Sequence, residues 1–420
     1  MKNSGDITMK KREKRYGYVL FRNLILILLM MLSLPQLQAE TLEASAPVAF
    51  TPGVDNRMKA DVCNDEDEDS ASGAEVFQTG IQRNTVYSVT FLDTIKDAPK
   101  ENAYDISELG NGTVLLWSEQ RENGLYDLYV AGQGGVSAPD HCRGLFNGYR
   151  SMVSIQFNNA FHTENTKDMA LMFRHCRSLT KLDLSSFNTA DVRDMDSMFH
   201  SCENLVVLEL SNFNTSNVHN MTALFCGCKS IERLELSHFD TAKVTSMLSM
   251  FYECSNLQEL DISHFITINV KNMANMFSGC VSLEKLDVSC FVTANVKTMK
   301  QMFQDCNAVR ILDIGGFDTS NVTDLSGMFY NCSNLTALDV NSFDTSNVTK
   351  MYAMFYNCSN MTELDVSSFD TTEVADMSWM FGKCAKLTRL DLSNFKTDQV
   401  VNSENMFYGC SAEIIGFYGA

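Results

Sequence analysis

The sequence predicts an α/β solenoid: one parallel β-sheet, short helical or 3-10 segments on the opposite side, and a β-rich N-terminal cap. Three observations predict it. A pattern of 26 residues holds its register from Met169 to Cys410; one unit, Leu179 to Asn204, reads LTKLDLSSFNTADVRDMDSMFHSCEN. Phe recurs at 187, 213, 239, 265, 291, 317, 343, 369 and 395, and Cys at 176, 202, 228, 254, 280, 306, 332, 358, 384 and 410. Within each unit an alternation such as Leu182-Asp183-Leu184-Ser185 reads as a short strand with its leucines inward. A unit this small cannot bury its apolar face alone, so successive units must stack.

Ahead of the repeats the chain divides by composition. Lys10, Lys11, Arg12, Lys14 and Arg15 precede an apolar run from Leu24 to Leu34, too short to span a bilayer and suited to the core of a signal peptide. Residues 1–39 are therefore read as a leader cleaved after Ala39, with Ala44 as a second cleavage candidate. No further hydrophobic span follows, so no transmembrane domain is expected. The whole chain carries 33 basic and 52 acidic residues; losing 7 and 2 of them with the leader changes the net charge from -19 to -24. Such acidity opposes nucleic acid and anionic membrane surfaces, and favours cationic partners or metal ions. Residues 40–80, with the run Asp65 to Ser70, are read as an acidic disordered linker. That run lacks the glycine and the ligand spacing of a helix–loop–helix calcium site.

Residues 81–143 are read as the β-rich cap. Thr85 to Leu92 is rich in strand formers, and two further strand-like runs flank Asn123-Gly124, a hairpin signal. The structural task for such a unit is to cover the first repeat's apolar end. The repeats themselves occupy 144–420. The first is degenerate, with Leu145-Phe146 standing where Met172-Phe173 stands in the next and Phe161 one place late. The tail after Cys410, SAEIIGFYGA, either folds over the open end or marks an early stop.

Inside a repeat, Val192, Met195, Met198, Phe199 and Cys202 have the offsets of one face of a short helix or of 3-10 turns packed behind the strands. Thr189 and its equivalents are placed to cap that helix or to brace the bend before it. The ten column cysteines are expected to stay reduced and buried. Neighbours in one file lack the geometry for disulfides or for a tetrahedral zinc site. A Cys63–Cys142 bridge is a separate expectation.

One column asks for more than packing. The outward strand position is acidic in nine repeats: Asp183, Glu209, Glu235, Asp261, Asp287, Asp313, Asp339, Asp365 and Asp391. Like charges on successive rungs repel, so some are expected to have raised pKa values unless neutralised. They either fix their own turns through hydrogen bonds, with Ser185 and its equivalents beside them, or form a ribbon that binds cationic protein surface or a divalent cation, calcium being the candidate. Ile266 with Val292, and His238 with His264, break the surface pattern in consecutive repeats. No catalytic residue is assigned. Serines and carboxylates lie in separate files, and no phosphate loop, His-Glu-x-x-His helix or reactive-cysteine setting is present.

Leu182-Asp183-Leu184-Ser185, Phe187, Thr189, Val192, Met195, Met198-Phe199 and Cys202 resemble the 26-residue repeat of bacterial surface proteins, DUF285-like and within the BspA-type leucine-rich-repeat group. Leu338-Asp339-Val340 and Phe343 to Thr349 match it most closely. The resemblance runs over 144–410 and implies a leucine-rich-repeat-like stack in a secreted or cell-surface protein. It also implies adhesion: an extracellular protein or glycan ligand of a host or neighbouring cell. A non-catalytic spacer of the cell envelope, stabilised by divalent cations, is the second expectation.

Overall fold

The computed structural model describes residues 56–63 and 67–417, all within the unit that runs from Pro52 to Ala420. The expected leader, residues 1–39, and parts of the expected linker lie outside the described residues. Among the described residues what forms is a mostly β and turn architecture with almost no helix: one α-helix, α1 (Glu68–Gly73), and one 3-10 turn, Arg83–Thr85.

The N-terminal part is a five-stranded sheet. Strands β1 (Val86–Leu92), β2 (Tyr104–Asp105), β3 (Val114–Gln120), β4 (Tyr126–Gly132) and β6 (Ser154–Gln156) lie in the order β2-β3-β4-β1-β6, with β5 (Val136–Ser137) set apart on β7 (Phe161–His162). The hairpin read from Asn123-Gly124 forms: β3 and β4 pair antiparallel, and Gly124 takes φ +80° in a turn closed by Arg121 N–H donating to the Leu125 carbonyl at 2.8 Å. Strand β6 belongs to the degenerate first repeat and pairs parallel with β1, so sheet and repeats share one apolar core. The stretch expected as linker packs into that core where it is described. Met58, Ala71 and Val76 are buried, and Asp67 accepts from Ser70 N–H at 2.9 Å at the start of α1. Apolar residues on either side of the acidic run, Cys63, Ala71 and Val76, are buried, while Asp67 and Asp69 are exposed.

The repeats correct the expected solenoid. Among the described residues there is no single long sheet and no helical back. The leucine strands pair only locally: β8 (Lys181–Asp183) with β9 (Val207–Glu209), β10 (Arg233–Leu234) with β11 (Glu259–Leu260) and β12 (Lys285–Leu286), and β13 (Arg389–Asp391) with β14 (Glu413–Ile415). These small sheets neither close nor curl into a leucine-rich-repeat arc. The reason is local. In eight of the nine repeats the outward Asp or Glu accepts the backbone N–H two residues on, as Asp183 does from Ser185 at 3.0 Å, and that turn ends the strand after two or three residues.

Continuity lies on the other side. N–H groups of Met195, Ser197, Phe199 and Ser201 donate to the carbonyls of Asn220, Thr222, Leu224 and Cys226 at 3.1, 2.8, 3.0 and 2.7 Å. The same set of bonds is still present where Met377, Trp379, Phe381 and Lys383 meet Asn402, Glu404, Met406 and Tyr408. Parallel bridges mark this ladder without a break from His141–Asp168 to Asp376–Asn402. No helix forms here because two residues per repeat are left-handed: Ser197 and Ser201 at φ +54° and +59°, then Ala223 and Gly227, Ser249 and Glu253, Asn275 and Gly279. Each turns the chain after one i to i+3 bond. Inward offsets of 3 and 4 survive, which is why the spacing imitates a helix.

The apolar columns behave as their chemistry requires. Met195, Met198, Phe199, Cys202, Leu182 and Leu184 are fully buried, and rings of the Met-Phe column stack from Phe173 to Phe407, with Phe251, Phe277 and Phe303 spaced 5.7 Å apart. No disulfide forms among the described residues, so Cys63 and Cys142 are not bridged. Column thiols instead donate to the Phe carbonyl of the preceding repeat, as Cys202 does to Phe173 at 3.1 Å and Cys280 to Phe251 at 3.2 Å. Burial pushes both thiols up to about 12, which keeps them protonated and unreactive.

The threonines bridge repeats and cap no helix. Thr293 Oγ1 donates to the Asp318 carbonyl at 2.9 Å and accepts the Asp318 N–H at 2.8 Å. Thr293→Val keeps the shape but strands both backbone groups of Asp318. It should cost about 1–3 kcal/mol, read by urea denaturation, with Thr397→Val at the last repeat near neutral.

Candidate functional site

The nine carboxylates are all exposed and run in one file along the strand face. In eight of them an oxygen accepts the N–H of the residue two places on: Asp183, Glu209, Asp261, Asp287, Asp313, Asp339, Asp365 and Asp391, at 2.9–3.2 Å. Serine hydroxyls add a second bond at Asp261, Asp287 and Asp391, at 2.8, 2.6 and 2.6 Å. The expected rise in pKa does not occur where a shift is found. Hydrogen bonds from Ser185, Ser263 and Ser393 hold Asp183, Asp261 and Asp391 below the usual carboxylate range, because they stabilise the ionised form more than its neighbours destabilise it.

Two more columns do the same work. Asn188, Asn214, Asp240, Asp318, Asp344 and Asp370 accept from the N–H two residues on. So do Asp168, Asp194, Asn220, Asn272, Asp324 and Asp376. The repeats thus turn up to three corners each on Asp or Asn side chains, and much of the chain's acidity is turn chemistry. Ile266 and Val292 interrupt the second of these columns. Ile266 and Ile268 are exposed at 39% and 50%, forming a small aliphatic patch. His238 and His264 each lie edge-on to the following Phe at 5.1 Å.

A different cluster occupies the ladder face of the first repeats. His175 is buried and its ring meets His200 edge-on at 5.6 Å. Burial, then Arg174 and His175, depress His200 to about 3. Asp194 and Asp196 nearby are raised, burial being the largest cause. A depressed histidine contributes stability that is full above its unfolded value of 6.5 and drains as pH falls toward 3. Melting followed from pH 6.5 to 5 should show a loss of up to about 2 kcal/mol from this group. His200→Gln should flatten that slope.

Sequence reading missed a strip of aromatic residues on the ladder face of the last repeats, including Tyr330, Tyr356, Trp379 and Tyr408. The signal was present as one variable column, aromatic once at Tyr252 and then at Tyr330, Tyr356 and Tyr408, with Gly382 between the last two. Among the described residues, no group of three or more His, Cys, Asp or Glu is arranged to hold a metal ion, and no helix is long and apolar enough to cross a membrane.

A ladder of turns repeated every 26 residues, fronted by short strands and joined to a five-stranded sheet, defines a tandem-repeat, mostly β protein. The chain belongs to the family described as Mycoplasma protein of unknown function, DUF285, whose model matches residues 140–234, 220–311 and 299–414. No curated protein and no solved structure matches the chain.

Proposed function

We propose that this chain is exported and acts at the cell surface as a non-catalytic binding protein, an adhesin contacting protein or glycan of a host or neighbouring cell. The observation that carries the reading is the long outer surface of the repeats, where one carboxylate per rung stays exposed from Asp183 to Asp391. Multivalent contact along such a surface raises avidity without any single strong site. The basic and apolar leader, and the likeness to bacterial surface-protein repeats, support export. The envelope-spacer reading draws on a different observation: eight of the nine carboxylates already anchor their own turns.

The test immobilises the purified chain and offers extracellular-matrix proteins, polysaccharides and intact cells, with and without calcium. Retention of a ligand is the expected result; failure with folded protein at micromolar concentration favours the spacer. Converting Asp287, Asp313 and Asp339 together to Asn separates the two roles of the column. A binding ribbon loses about tenfold or more in affinity, whereas a purely turn-forming one lowers the melting temperature and leaves binding intact.

A further inference from the structure

Residues on the outer side of the ladder change character in the last four repeats. The column that holds Arg174, His200, Cys226, Tyr252, Ser278 and Gln304 earlier in the chain, with one isolated aromatic, becomes aromatic on successive rungs at Tyr330 and Tyr356 and again at Tyr408. Tyr330 and Tyr356 stack with centroids 4.9 Å apart and planes at 16°. Trp379 stands crosswise between the next two rungs, 5.7 Å and 73° from Tyr356 and 5.6 Å and 65° from Tyr408. Tyr352 and Tyr408 are 45% and 58% exposed. The arrangement depends on Gly382, which takes the column's place in the intervening repeat. A Cβ there would come within 2.9 Å of the Tyr356 ring, so a larger residue would displace it.

Polar groups line the strip in step with the rings. Asn357 Nδ2 donates to Asn331 Oδ1 at 2.5 Å, and Asn331 Nδ2 to Asp305 Oδ1 at 2.6 Å, an amide on each of the two rungs that hold Tyr330 and Tyr356. Lys383 Nζ lies 5.3 Å from the Tyr356 ring centre. The core does not require these rings, since burial in these repeats is complete with Met328, Phe329, Met354, Phe355, Met380 and Phe381.

We propose that this strip binds a neutral polysaccharide laid along the stack. This rests on the binding reading above and narrows it to a site and a ligand class. Sugar rings offer apolar C–H faces to aromatic side chains and hydroxyls to phenols and amides. A polymer of such rings matches a surface that repeats an aromatic step along successive rungs, with amides beside Tyr330 and Tyr356. Charge selects against anionic polymers, because the chain is net -19. Tyr and Trp deliver large amphipathic contact area with few rotatable bonds, so little entropy is lost on contact.

Tryptophan emission tests it directly, because the chain has two tryptophans and Trp117 is buried against Tyr129 at 5.4 Å. The purified chain is titrated with dextran, mannan, galactan and hydroxyethyl cellulose, with heparin as the anionic control. Saturable change in emission with at least one neutral polymer, retarded migration in a gel containing it, and about tenfold or greater weakening in Trp379→Ala and Tyr408→Ser support the proposal. Gly382→Leu should weaken binding similarly, and unchanged circular dichroism keeps a misfolded variant from being mistaken for a defective site. Absence of a saturable response to every neutral polymer overturns it. So does equal or tighter binding of heparin, or binding that all three variants leave intact. Retention of a matrix protein by both the parent chain and Trp379→Ala, without polysaccharide binding, overturns this inference alone and leaves the adhesin reading standing.

Discussion

Arg83→Met should destabilise the fold by about 3–5 kcal/mol, the range for breaking a buried charge pair from one side. Arg83 is 1% exposed, and its guanidinium donates to the carbonyls of Gly144, Leu145 and Asn147 at 2.7, 3.2 and 3.0 Å. It also donates to the Asp61 carbonyl at 3.0 Å and to Asp61 Oδ2 at 2.7 Å, and it lies 5.4 Å from the Tyr149 ring. The ladder explains why a cation belongs here. Every second N–H points toward the next repeat, so at the first rung the Leu145 and Asn147 carbonyls face back with no preceding repeat to donate to them. Arg83 fills that place and ties residues 56–63 to the repeats in the same step. Methionine supplies similar bulk but leaves the Leu145 and Asn147 carbonyls, and the half-buried Asp61 carboxylate, without the guanidinium. Burial already raises the Asp61 pKa, and loss of Arg83 removes the main influence that lowers it. Urea denaturation of Arg83→Met, Asp61→Asn and the double variant measures the coupling. If the two changes simply add, the ion pair is not what holds this end.

Phe277→Ala should cost a similar amount, about 3–5 kcal/mol. The ring is fully buried and lies between Phe251 and Phe303, each 5.7 Å away and nearly parallel at 6°. Removing it leaves a cavity and cancels two aromatic contacts, worth about 0.5–1.5 kcal/mol each beyond burial. In a chain of repeats each unit touches only its neighbours, so the damage is local in space but severs the coupling between halves. The expected signature is a second unfolding step, with faster amide exchange at Met273–Cys280 than at Met195–Cys202. A single cooperative transition of unchanged midpoint would show that the column is not what couples the repeats. Phe277→Leu, which fills most of the space, should recover over half of the loss.

Much of the candidate site was legible before any coordinates, and the limits are instructive. The acidic column is where the period places it, exposed and in file. The repulsion argument nonetheless misjudged its titration, because Ser185, Ser263 and Ser393 each donate to the carboxylate two residues earlier. Distance between like charges can be guessed from a repeat, but a hydrogen bond to the ionised form depends on the turn that brings donor and acceptor together. The helical reading of Met195 to Cys202 failed for a related reason. Offsets of 3 and 4 describe which residues face inward, and both a helix and a run of turns satisfy them. Left-handed positions would have told the two apart, and Gly227, Gly279, Asn331 and Asn357 hinted at one such column. Ser, Glu, Lys and Trp occupy the same two columns elsewhere, which blurs the signal.

What the sequence determined alone is the period, the burial of the Leu, Met, Phe and Cys columns, the Asn123-Gly124 hairpin and the acidity of the outer face. These follow from residue type and short-range spacing, and apolar side chains are driven inward whatever the backbone does. Only the tertiary structure decided which side of the repeat is continuous. Bonds between one copy and the next join residues about 26 apart, and any backbone with the same inward columns could have placed them on the leucine strands. They run instead through the Met-Phe turns, where alternating left-handed residues aim every second N–H at the following repeat, while on the strand face the Asp turns cut pairing short.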